Sequence, residues 1–234
     1  ADSPDLEIED DGSYAWVVFR QDFGTASRVL ARRLVGSLFE APSPMEGTGF
    51  GETPRIGMTG RGVGYAVAAI RGANSVHGAW LLQDVFEAPK QVTNSSDRAP
   101  LPVVGTSEKD QVAVAWRGSE GSVWGKHKPY KEPFESDHRL TDPALGVAAE
   151  DGLEISEDRQ GNFAVAFVQG GTTDRRLMVA EYDRIPGVPV PTSTTNAQNR
   201  SKPIFKWRPG LELWGRVTFK VILDGEEIGR TTSN

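Results

Sequence analysis

Four short runs, YAWVVFR (14–20), YAVAAIR (65–71), QVAVAWR (111–117) and NFAVAFV (162–168), recur along the chain and leave few folds open to it. Aligned on their large residues Phe19, Ile70, Trp116 and Phe167, the copies are 51, 46 and 51 positions apart. Each run follows a tight polar turn, EDDGS, TGRGVG, SEKD or EDRQGN. In these turns Gly12, Gly62 and Gly161 are free to take positive φ, and Asp110 stands at the turn in the third copy. A second polar loop, QDFGTAS, GANS, GSEGS or QGGTTD, then leads into RVLARRL, VHGAWLL, VWGKHKP or RLMVAEY. Two copies close on the same FEAP, at 39–42 and 86–89.

This grammar is that of antiparallel strands. The 26 glycines and 15 prolines cut the chain into short segments, and few windows hold an apolar stripe at helical spacing. Units of about four strands repeating every 40 to 50 residues point to the blades of a β-propeller, whose edges are protected by radial packing. Each first run is expected to be the inner strand of its sheet, its small residues letting neighbouring sheets approach face to face. Phe19, Trp116 and Phe167 are the expected core, each contributing about 1.5 to 3 kcal/mol by burial. The fold class is therefore read as all-β, a propeller over 1–183 with four visible repeats (about 5–45, 53–92, 101–138 and 150–185), open to being part of a larger ring.

The segments LEIEDDGSYAWVVFRQ and LEISEDRQGNFAVAFVQ resemble the degenerate D-x-x-G-N-x-x-V-x-W repeats of secreted bacterial β-propeller proteins, many of them actinobacterial and of uncharacterised function. The resemblance covers about residues 5 to 185. It implies the fold and export to the cell surface or beyond, and no activity.

Residues 184–201, rich in Pro, Thr, Ser and Asn, read as an extended linker. Beyond it, RVTFKVIL alternates and Asp224-Gly225 forms a tight turn into EEIGRT. With Trp207, Phe219 and Val221 this stretch resembles the opening strands of a fibronectin type III or immunoglobulin-like domain. The roughly 32 residues after the linker are too few for a seven-strand sandwich of about 100. The remainder is expected outside this sequence. A fifth sheet on the propeller, or pairing with another molecule as a homo-oligomer through these strands, are the alternatives.

Several chemistries are narrowed by composition. The absence of cysteine removes thiolate sites and cysteine nucleophiles. The net charge of −6, with 26 basic residues scattered along the chain, argues against nucleic acid as a partner. No apolar run approaches the roughly 18 residues of a transmembrane segment, and no leader peptide is visible in the sequence.

The acidic turns around Asp5, Glu7, Glu9, Asp10 and Asp11, and around Glu154, Glu157 and Asp158, are oxygen-rich enough to raise Ca²⁺. They lack the ordered ligand spacing of a calcium loop, so solvated turn residues are the default and no cofactor is expected. The same turns partly resemble the Asp box of sialidases, a structural turn remote from the active site, through Ser156, Asp158 and Gly161 or Asp10, Gly12 and Trp16. YDRIPG at 182–187 shares R-I-P with the sialidase F-R-I-P segment, and the resemblance implies carboxylate binding by Arg184. The segment follows the fourth repeat, where sialidases place it before the first. His77, His127 and His138 stand apart, without zinc spacing. No catalytic residue can be assigned.

Aromatic residues beside polar ones give the binding candidates. Trp80 and Trp124 take similar places in repeats two and three, and SVWGKHKPYKEPF (122–134) mixes Trp124, His127 and Tyr130 with lysines. The sequence thus predicts a non-catalytic extracellular binding or scaffold module for a glycan or protein, with Trp80, Trp124, His127, Tyr130 and Arg184 as candidate ligand residues. A sialidase-like propeller glycoside hydrolase or lyase is the alternative, and a self-association module the third.

Overall fold

A computed structural model describes residues 1–9, 12, 14–45, 51–59, 62–71, 74–82, 85–93, 101–182, 190–194, 205–208, 218–223 and 225–232. The chain divides into two compact units, Ala1–Ala180 and Glu181–Asn234.

The first unit is four antiparallel sheets in chain order. The first holds β1 (Asp2–Ile8), β2 (Tyr14–Asp22) and β3 (Ser27–Val35), with β4 (Leu38–Phe39) and β5 (Ser43–Pro44) both along β3. The second repeats it with β6 (Gly51–Met58), β7 (Gly64–Ile70), β8 (Ser75–Leu82), β9 (Val85–Phe86) and β10 (Lys90–Gln91). The third is β11 (Pro102–Thr106), β12 (Val112–Arg117), β13 (Val123–Lys128) and β14 (His138–Arg139). The fourth is β15 (Glu154–Glu157), β16 (Phe163–Gln169) and β17 (Arg176–Tyr182), preceded by a 3-10 turn over Pro143–Leu145.

Alternation along each strand sends its two faces to two different neighbours. Trp16 and Val18 on one face of β2 share a buried cluster with Ile56, Ala66 and Ala68 of the second sheet. The opposite face of that sheet, with Tyr65, Val67 and Val76, shares the next cluster with Val104, Val114 and Trp116 of the third. Farther along, the buried His127 of β13 meets Phe163 of β16, with ring centroids 5.7 Å apart. The sheets are therefore blades stacked face to face, with apolar side chains from both partners filling each gap.

The four turns before the second strands carry a positive φ at the same place, +74° at Gly12, +71° at Gly62, +56° at Asp110 and +94° at Gly161. This matches the turn chemistry read from the sequence, with Asp110 accepting the left-handed conformation as Asp does more readily than most residues.

Four sequence expectations change. The recurrent runs are the second strands of their blades, not the innermost. The first strands β1, β6, β11 and β15 pack directly beside one another, and Asp5 of β1 accepts the Ile56 N–H of β6 at 2.8 Å. The second copy is also out of register by two. Ile8↔Ala15, Met58↔Gly64, Thr106↔Val112 and Glu157↔Phe163 are equivalent pairs, so Ala68, not Ile70, matches Trp116 and Phe167. A slip of two preserves the face, so the core pattern survived it. Phe19 is only half-buried because it shares a face with Val17 that no described blade precedes, and the buried aromatic of β2 is Trp16 on the other face.

The fourth change lies in the second unit. Val190–Thr194, inside the expected linker, forms strand β18 and pairs with β19 (Phe205–Arg208). Val190, Thr192 and Thr194 are β-branched, and Pro191 sits in a two-stranded ribbon with a register shift beside it, where a missing N–H is tolerated. The hairpin expected around Gly225 is present as β20 (Thr218–Leu223) and β21 (Glu226–Thr232), with Gly225 at φ +87°.

Candidate functional site

Between the second and third blades, toward their outer strands, a cleft of about 550 Å³ opens beside the apolar cluster that joins them. Its wall begins with Tyr65, whose buried ring leans over Gly78 in the adjacent strand. A Cβ on Gly78 would come within 2.5 Å of the Tyr65 hydroxyl oxygen, so only glycine leaves room for the phenol there. Burial, and then the charge of Glu87, push the Tyr65 hydroxyl above the ordinary phenol range. Trp80, directly across the β7–β8 ladder, stands edge-on to this ring, and the Phe134 ring also meets it at an angle, with centroids 6.1 Å apart.

The third blade supplies cations. Alternation along β13 places Lys126 and Lys128 on the face toward the second blade, because their ladder partners Val114 and Val112 belong to the cluster between the two blades. Lys126 is buried at the back, its ammonium 2.8 Å from the Asp137 carboxylate and donating to the Val92 carbonyl at 2.9 Å. The Lys128 ammonium lies 5.7 Å from the centre of the Trp80 ring. Burial, followed by the charge of Lys90, lowers the Lys128 pKa, with Glu87 acting in opposition. Lys131, Glu132 and Gln91 complete the polar lining.

The expected binding residues separate. Trp80 lines the cleft. Trp124 borders the same gap from the opposite blade, since its partner Trp116 faces the second blade; the two tryptophans are opposed and not equivalent. His127, between Lys126 and Lys128, points to the other face, against Phe163 and 3.5 Å from Glu135. Tyr130 is exposed beside Lys131 and is not part of the cleft lining. Arg184 lies outside the described residues. The residues that sequence reasoning passed over are Lys126 and Lys128, although K-x-K on an alternating strand already places both on one face.

The acidic turns have a structural use. The Asp158 carboxylate accepts the N–H groups of Gln160, Gly161 and Asn162 at 2.8 to 3.0 Å and the Asn162 amide at 2.8 Å. Burial on its own would raise the Asp158 pKa, and these donors outweigh it and hold the carboxyl below its ordinary value. Among the described residues no three His, Asp or Glu side chains are arranged to hold a metal ion. Asp10 and Asp11 lie outside the described residues. No helix among the described residues is long and apolar enough to cross a membrane.

No family model and no curated protein matches the sequence. Solved structures do share its fold. The lectin of Aleuria aurantia, solved with Fucα1-6GlcNAc, superimposes with a TM-score of 0.55 at 8% identity over 77% of this chain and 58% of its own. Another structure of that lectin is described as a six-bladed β-propeller with a novel fucose recognition mode. A Dyadobacter fermentans protein of unknown function gives 0.53 at 11% identity, over 75% of this chain and 59% of its own. A Hadza microbial sialidase gives 0.50 at 11% identity, over 76% and 43%. The chain thus spans little more than half the length of the lectin, and its fold is that of a β-propeller.

Proposed function

We propose that this protein is a carbohydrate-binding propeller that takes its sugar in the cleft between the second and third blades, as an extracellular or surface-displayed module. The observation that carries the reading is the half-buried Trp80 ring at the wall of a 550 Å³ concavity, flanked by ammonium and carboxylate groups. Sugars are held by such a pairing, an aromatic surface for their C–H faces and polar side chains for their hydroxyls. The fold neighbours lend support, since they include a lectin solved with a fucosyl disaccharide and a sialidase.

A glycan array probed with the labelled full chain, followed by calorimetry on the strongest ligand, tests the reading. Trp80→Ala is expected to weaken binding tenfold or more, about 1.4 kcal/mol. Trp80→Phe, which keeps an aromatic face and the packing against Tyr65, should lose less. A folded wild-type protein that binds no glycan defeats the proposal. Turnover of a fluorogenic glycoside in the same preparation would favour the glycoside hydrolase alternative.

A further inference from the structure

We infer that the cleft between the second and third blades selects an acidic saccharide, one bearing carboxylate or sulfate groups on successive sugar units; this rests on reading the cleft as a sugar site. The ground is where the lysines lie. The chain has 8 lysines and 18 arginines. Four of those lysines, Lys90, Lys126, Lys128 and Lys131, line this one cleft, and none of its described lining residues is an arginine. Two lining carboxylates, Glu87 and Glu132, stand against them and Asp137 pairs with Lys126, so the cleft keeps an excess of one positive charge in a chain of net charge −6.

The arrangement is graded in depth. Lys126 is buried at the back and fixed by Asp137 and the Val92 carbonyl. Lys128 is half-buried beside Trp80, and Lys90 and Lys131 are exposed. An arginine fork clasps one planar anion in two places, whereas each ammonium is a compact point charge. A series of ammonium groups from back to mouth therefore suits several separated charges on one extended ligand, with the indole providing a surface for a ring between them. The unfavourable surroundings of Lys128, buried and close to Lys90, would be relieved by an arriving anion. A polynucleotide is less well served, because it asks for a longer cationic track than one cleft.

The test is calorimetry on the full chain with four probes: tetragalacturonate, a heparin-derived tetrasaccharide, neutral galactotetraose and a single-stranded tetranucleotide. At least one acidic tetrasaccharide should bind about tenfold or more tighter than the neutral one at low salt, with the advantage shrinking as salt is added. Comparing the galacturonate and heparin arms tells carboxylate from sulfate. The combined Lys90→Gln, Lys128→Gln and Lys131→Gln variant, which leaves the buried Lys126 in place, should lose that advantage, its affinity for the acidic tetrasaccharides falling several-fold more than its affinity for the neutral one. Lys90→Gln alone, at an exposed position, should lose part of it.

Equal affinity for acidic and neutral sugars, unchanged in the triple variant, overturns this inference and leaves sugar binding standing. Binding of none of the saccharides overturns this inference, and an empty glycan array beside it overturns the sugar-site reading as well. Tighter binding of the tetranucleotide overturns the inference in favour of a phosphate ligand.

Discussion

The indole of Trp80 meets the phenol of Tyr65 edge-on, with ring centroids 4.9 Å apart and planes at 78°. This places the Trp80 ring at the cleft wall through a chain of packing that begins with a glycine. Gly78 leaves a gap, Tyr65 fills it, and Trp80 leans on Tyr65. Substituting Gly78→Ala would set a Cβ 2.5 Å from the Tyr65 hydroxyl and 2.7 to 2.8 Å from its ring carbons. Tyr65 is buried, so the ring has little space to retreat. The variant should lose about 1 to 3 kcal/mol in urea unfolding, as overpacked cores do, and should bind sugar more weakly because Trp80 loses its support. Gly78→Ala with wild-type stability and wild-type affinity would break this link.

Gln169 anchors a loop to the fourth blade. Its side chain is fully buried, donates to the carbonyls of Asp142 and Gly146 at 2.6 and 2.7 Å, and accepts the Asp142 N–H at 3.2 Å. Gln169→Leu keeps the volume and removes all three bonds, although the Asp142 carbonyl keeps the Leu145 N–H as a donor. The expected cost is about 1 to 2 kcal/mol, since a hydrogen bond contributes about 0.5 to 1.5 kcal/mol net and the exposed Asp142 and Gly146 backbone can take up water in place of the lost amide. Thermal unfolding should fall by several degrees with sugar binding at the other gap unchanged. A shift smaller than about 0.5 kcal/mol would show that the loop does not depend on this residue.

Gly12 and Gly161 occupy the same turn position, and the structure sets them apart. Both have positive φ, but a Cβ on Gly12 meets nothing within 4 Å, whereas one on Gly161 would lie 1.7 Å from the Gln111 side-chain oxygen of the third blade. Gly12→Ala should therefore cost only the conformational strain, about 1 to 2 kcal/mol. Gly161→Ala should cost clearly more, because the buried Gln111 must also move. Chemical denaturation of the two variants side by side checks this, and equal costs would mean that the fourth turn does not press on its neighbour.

Much of the blade architecture was legible because it depends on local rules. Turn residues requiring positive φ mark four equivalent places, and alternation in the following strands fixes which residues face a neighbour. The first strands were harder to see. DSPDLEI and GETPRIGM carry acidic residues, glycine and proline, since they pack at close quarters beside the next blade's first strand and need small or polar side chains more than large apolar ones. Gly57 shows the constraint, as a Cβ there would touch the Thr106 side chain at 2.9 Å.

The cleft was legible only in part. Trp80 and the lysine-bearing strand could be singled out, but the partner of each depends on the stacking of two blades, which joins Lys90 to Lys128 across 38 positions of sequence. Trp80 and Trp124 are not equivalent in the ladder either, since Trp80 matches His127, and the two tryptophans border one gap from opposite blades.

The pH dependence of stability should show two separate windows. His77 on β8 stands opposite Ala68 and Gln91, and burial lowers its pKa below the ordinary 6.5. The folded state then binds its proton less readily than the unfolded state. Its contribution is constant well above pH 6.5, declines as pH falls through the unfolded value toward the folded one, and levels off below that. Asp158 is depressed from 3.8 by its four donors, so its contribution is present above that pH and is lost as pH falls through the lower folded value. Urea midpoints measured from pH 8 to pH 2 should accordingly begin to drop as pH falls through about 6.5, level off, and drop again below about pH 4. His77→Gln should flatten the first drop and leave the second, whereas Asp158→Asn should leave the first and only reduce the second, because Asp2, held below its ordinary value by its hydrogen bond with Arg20, titrates there too, and should lower stability at neutral pH through the weakened turn. A His77→Gln curve parallel to wild type from pH 8 to pH 5 would show that this histidine titrates alike in the folded and unfolded chain.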